Sequence, residues 1–117
     1  MQDLIKNIPS LDWDLSLKLA VGNHTLAKKL FNMMISSLPK EQILINNALN
    51  NNQLTQLKEM IHKLHGACCY TGLPKLKHIA KNLETEMYVT NNNKELIINY
   101  ANLLNQEIQF LINTYLD

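Results

Sequence analysis

The sequence predicts an all-α domain: an antiparallel, up-down-up-down four-helix bundle with an additional short helix or helices at its N-terminal end. Three observations lead there. Of the 117 residues 46% are hydrophobic, with Leu and Ile dominant, so the chain carries enough apolar material for a core. Only three Gly and three Pro are present, too few for the many tight turns of a sandwich or barrel. Between short polar breaks, apolar residues recur at helical spacing. A chain of this length buries about two-thirds of its unfolded surface on folding, so residues 1–117 are expected to form a single domain around one core.

The elements follow in order. Residues 11–21, from Leu11 to Val21, read as a short helix that stops at Gly22-Asn23. Residues 24–37 carry Leu26, Leu30 and Met33, with Ala27, Met34 and Leu38 beside them, and Pro39 reads as the next break. A short helix over 40–49 carries Leu44, Ala48 and Leu49 and ends at Asn50-Asn51-Asn52. Asn suits such ends because its side chain competes for backbone hydrogen bonds. Residues 53–70 show a three-four rhythm of Leu54, Leu57, Ile61, Leu64 and Cys68. After Gly72-Leu73, Pro74 suits a first helical turn, where its missing N–H is not needed. The helix over 74–88 then carries Leu76, Ile79, Ala80, Leu83 and Met87. Asn91-Asn92-Asn93 separates it from a last helix over 94–115, with Leu96, Ile97, Tyr100, Leu103, Leu104, Ile108 and Leu111. One apolar face on each helix requires a partner, and short connections make successive helices antiparallel. Met33, Met34 and Met60 read as core filler.

Composition also narrows the function. A formal charge of +1 provides no basic field for nucleic acid or an anionic membrane. No apolar run approaches the roughly 20 residues that span a bilayer, and the first residues lack the pattern of a secretory leader. A cytoplasmic location is therefore expected. The adjacent Cys68 and Cys69 would close almost no loop as a disulfide, so they read as reduced thiols. No Gly-rich loop is available to cradle a nucleotide phosphate, so no ATP site and no cofactor are expected within the chain.

The segment with chemical content runs Ile61-His62-Lys63-Leu64-His65-Gly66-Ala67-Cys68-Cys69-Tyr70-Thr71-Gly72. His62 follows the stripe residue Ile61 by about 100° of helical rotation, which puts it at the stripe's edge, facing out. Lys58 and Glu59 lie one turn before it, and His65 and Gly66 one turn after. Gly66 costs a helix about 1 kcal/mol relative to Ala. Two reasons for it stand side by side: access of a second protein to His62, or close helix–helix packing at Gly66.

His62-Lys63-Leu64-His65-Gly66, with Gly72 ten residues after His62 and an apolar helix beyond, resembles the signature of histidine phosphotransfer (HPt) domains. Leu11-Asp12-Trp13, the Leu26-Ala27 helix and Ser37-Leu38-Pro39 further resemble the C-terminal HPt domain of BarA/GacS-type hybrid sensor kinases. The resemblance implies that His62 is a phosphoacceptor. It would take a phosphoryl group from a phospho-Asp on one receiver domain and pass it to the receiver of a response regulator, with Mg²⁺ on the receiver. Lys58, Lys63, His65, Gly66 and Cys69 are the residues expected to support the phosphate or the partner. Many members carry Lys or Arg where this chain has His65, so its charge would depend on pH, and Lys58 and Lys63 are candidates to supply what is missing. The resemblance also implies a phosphoryl carrier rather than an enzyme, from the cytoplasmic end of a membrane-bound sensor kinase.

Two readings compete. His62, His65, Cys68 and Cys69 are zinc-ligand types crowded into one helical region. Alternatively, the domain is a plain helical protein-interaction module with incidental histidines. Lys75, Lys77 and Lys81 form a basic edge after Gly72 that is either a solvated face or an attraction for an acidic receiver pocket.

Overall fold

A computed structural model describes residues 5–89 and 94–116. From Trp13 onward the described residues form, in order, α1 (Trp13–Leu19), α2 (His24–Asn50), α3 (Leu54–Cys68), α4 (Pro74–Tyr88) and α5 (Lys94–Tyr115). Helix α2 packs on α3, α3 on α4, α4 on α5 and α5 back on α2, so the four long helices close a ring. Helix α1 packs against α2 at one end. This is the expected up-down-up-down bundle with its N-terminal addition. Among the described residues no helix is long and apolar enough to cross a membrane.

The punctuation is largely where the sequence puts it. Asp12 caps α1 by accepting from the Leu15 N–H at 3.0 Å, and Asn23 caps α2 through the Leu26 N–H, also at 3.0 Å. Between them Val21 and Gly22 both have positive φ, the left-handed turn that commonly ends a helix. Asn52 does the same after α2. The break at Asn91-Asn92-Asn93 lies outside the described residues.

Pro39 is the main departure. It does not break the chain: the expected helices 24–37 and 40–49 are one helix of 27 residues. An interior Pro costs a helix about 3 kcal/mol or more. Against it stands one unbroken buried stripe, Ala27, Phe31, Met34, Ile35, Leu38, Ile45 and Ala48. Each large member contributes about 1.5–3 kcal/mol on burial, so tertiary packing on both sides of Pro39 outweighs the local cost. The stripe is also rotated from the expected one. Leu26, Met33 and Leu44 face solvent, and Met33, at 60% exposed, is not core filler, whereas Met34 is. In α3 and α4 the expected stripes are the buried ones, apart from the exposed Leu54.

Helix α1 is fastened at the α3–α4 turn. The Asp12 N–H donates to the Gly72 carbonyl at 2.9 Å, and the Gly72 N–H donates to the buried Ser16 hydroxyl at 2.8 Å. A Cβ on Gly72 would collide with the Asp12 carbonyl and stand 2.5 Å from Ser16 Oγ. Trp13, Phe31 and Tyr115 stack edge to face across α1, α2 and α5, with centroids 6.3 and 5.3 Å apart.

Candidate functional site

The site grows from the register of α3 against α4. Ile61 and Leu64 are buried against the bundle, and this fixes the rotation of α3. His62, between them, is carried onto the α3–α4 edge with its side chain 71% exposed. Across the seam, Leu83 and Met87 bury the inner face of α4 and hold Glu84 beside them, its side chain only 8% exposed.

His62 Nδ1 lies 2.5 Å from Glu84 Oε2. A carboxylate only accepts, so the imidazole donates its Nδ1–H. That bond selects the tautomer whose lone pair sits on Nε2, the nitrogen left on the exposed side of the ring. Lys81, one turn before Glu84, places its ammonium 3.7 Å from Glu84 Oε1. The buried carboxylate is thus shared between an orienting bond to the histidine and a cation poised beside it.

His65, one turn beyond His62, is half-buried. Burial holds its pKa below the ordinary value; Glu84 pulls it back up, and Lys81, Lys77 and His62 depress it further. The balance favours the uncharged form of the His65 imidazole, and the permanent positive charge at this edge belongs to Lys81 and Lys77 of α4.

The other expected residues divide. Lys58 turns toward α4, its ammonium 4.8 Å from the centre of the Tyr88 ring. Lys63 lies on the opposite flank, where it offsets the upward push that burial gives the Glu41 carboxyl of α2. Cys69 is half-buried, and its thiol donates to the His65 carbonyl at 3.5 Å, which ties it to the end of α3. At Gly66 an added Cβ would meet no atom within 4 Å, so the close-packing reading of this glycine fails and the access reading fits. Cys68 is in the core, and its thiol is pushed up to about 12 by burial. Among the described residues no three His, Cys, Asp or Glu side chains are placed to hold a metal ion.

Sequence reasoning missed Glu84 and placed Lys81 only as part of a basic edge. A signal was present: Glu84 interrupts the apolar stripe of α4 between Ala80 and Met87, and a carboxylate buried there needs a partner.

Comparison with known proteins adds the following. Residues 29–114 match the family model of the Hpt domain. The chain is 33% identical over 78 residues to the signal transduction histidine-protein kinase BarA of Escherichia coli (strain K12), covering 67% of this chain and 8% of that protein. It is 37% identical over 75 residues to the sensor protein GacS of Pseudomonas syringae pv. syringae, covering 64% of this chain and again 8% of the relative. The chain therefore spans a small fraction of the curated relatives it matches. Among solved structures, the HPT domain of an Hpt sensor hybrid histidine kinase from Shewanella superposes with a TM-score of 0.68 at 25% identity, covering 92% of this chain and 97% of that one.

Proposed function

This chain belongs to the Hpt domain family, and on that premise we propose that His62 is the phosphoacceptor of a two-component phosphorelay. The observation that carries the reading is the exposed imidazole held at Nδ1 by a buried Glu84. The Nε2 lone pair attacks the phosphorus of a phospho-Asp on a receiver domain. The new N–P bond forms as the bond from phosphorus to the aspartyl oxygen breaks, and that oxygen leaves as carboxylate. Transfer of this kind passes in line through a loose transition state, so positioning and charge supply most of the catalysis. From this side Glu84 orients the ring and stabilises the positive charge that the imidazole acquires, and Lys81 meets the charge on the moving phosphoryl oxygens. The Mg²⁺ that completes their neutralisation is expected on the receiver. Attack by a second receiver's Asp on phospho-His62 reverses the same steps.

In this reading the domain is a carrier. ATP is used by a kinase domain elsewhere, the donor and acceptor are receivers of a parent sensor kinase and of a response regulator, and the site works in the cytoplasm. Phosphorylated receiver mixed with the domain should transfer an acid-labile, base-stable label to it. His62→Gln should remove that label entirely while the far-ultraviolet circular dichroism stays unchanged; uptake at the normal rate by the variant would refute the assignment.

A further inference from the structure

Beside the phosphoacceptor edge, α1, the end of α3 and the start of α4 enclose a cleft of about 420 Å³. Its composition is lopsided. Leu15 and Leu19 of α1 supply apolar wall, while His65, Lys77 and Lys81 supply the basic side, and no carboxylate lines it. Thr71 lines it as well; the residue is buried, and its Oγ1 has no hydrogen-bond partner among the described residues. An unmet buried hydroxyl is costly; Oγ1 is closed to solvent, so a ligand oxygen would satisfy it once the side chain turns about χ1 toward the cleft. Lys81 is engaged with Glu84. Lys77 has no ion-pair partner among the described residues. Two cations, an unmet hydroxyl and an apolar wall in one concavity match a specific chemistry: an anionic group on a small apolar body.

We propose that this cleft binds a small organic anion, a carboxylate or a phosphomonoester, with its charged end on Lys77 and Thr71 and its apolar part against Leu15 and Leu19. Because His65 and Lys81 belong to both the cleft and the His62 edge, an occupied cleft stands in the path of a partner approaching His62. Interference with transfer rests on the proposed function; binding does not.

The test uses ¹⁵N-labelled protein titrated with phenyl phosphate and, separately, benzoate, with inorganic phosphate at matched ionic strength as the charge-only control. At least one organic probe should shift the Thr71 and Lys77 amides saturably, at a concentration about tenfold below any effect of inorganic phosphate. The His65 imidazole should titrate at higher pH when the probe is bound, because an anion nearby favours its charged form. Lys77→Met should weaken binding about tenfold, the size expected for one charge-assisted contact. Thr71→Val should weaken it too, with amide shifts away from the cleft reporting that the fold is intact. Shifts that stay linear and equal to those of inorganic phosphate for both organic probes, or binding unaltered by Lys77→Met, would overturn the proposal.

Discussion

Two glycines six positions apart, Gly66 and Gly72, serve opposite ends. At Gly66 the space where a side chain would stand is open; at Gly72 it is filled by the backbone of Asp12 and Ser16. The first sits in the middle of the chemical edge, one turn from His62. The second sits in the clamp that fastens α1 to the α3–α4 turn. An identical residue thus marks open space in one place and the absence of space in the other. Changes around Gly66 should impair transfer without loss of stability, while changes at Gly72 should lower stability and spare transfer.

The largest effect is expected at the clamp. Gly72→Ala must displace the Asp12 backbone and strain both hydrogen bonds, so stability should fall by about 2–3 kcal/mol, as for a comparable overpacked site. A shifted urea midpoint measures it, and transfer per folded molecule should remain near normal. Glu84→Gln comes next, on the other side of the comparison. Losing the carboxylate weakens both the orientation and the charge support of the imidazole, and transfer should slow about 10- to 100-fold, taking the range known for the partner that orients a metal-bound histidine. Single-turnover kinetics with a phosphorylated receiver would show it; an unchanged rate would mean that the His62–Glu84 bond is incidental. Gly66→Ala sharpens the contrast with Gly72. It should gain about 1 kcal/mol of stability, since Ala is the better helix former and has space, yet transfer should drop because the methyl group stands where the partner must enter. The smallest effect concerns pH. Burial depresses the His65 pKa, so the unfolded chain takes up that proton first as pH falls. Both states are neutral above the unfolded value; stability then declines slightly between the unfolded and the folded value. Imidazole resonances should place the His65 midpoint below its ordinary value, and Glu84→Gln, which removes the opposing charge, should lower it further.

Much of the fold was legible because burial follows period. The stripes of α3 and α4 could be read residue by residue, and they placed His62 on its edge. Helix α2 was harder for two physical reasons. Pro39 carries a strong local signal that only tertiary packing overrules. Two overlapping apolar rows, one through Leu26 and Met33 and one through Ala27, Phe31 and Met34, left the buried face ambiguous until α3 and α5 were in place. The site was legible in part. His62 and Gly66 are visible within one helix, but the Glu84 bond depends on how far α3 and α4 slide along each other. No spacing within either helix encodes that offset. Lys63 illustrates the converse: it is adjacent to His62 in sequence and faces the wrong helix.

The bond from Nδ1 to Glu84 has a consequence for regiochemistry. Imidazole can be phosphorylated on either nitrogen, and the two products differ in lifetime and in the reagents that recognise them. With Nδ1 committed to a buried carboxylate, phosphorylation of His62 as proposed would give the tele isomer, and isomer-specific antibodies would read which nitrogen carries the phosphorus without any need for the partner's identity.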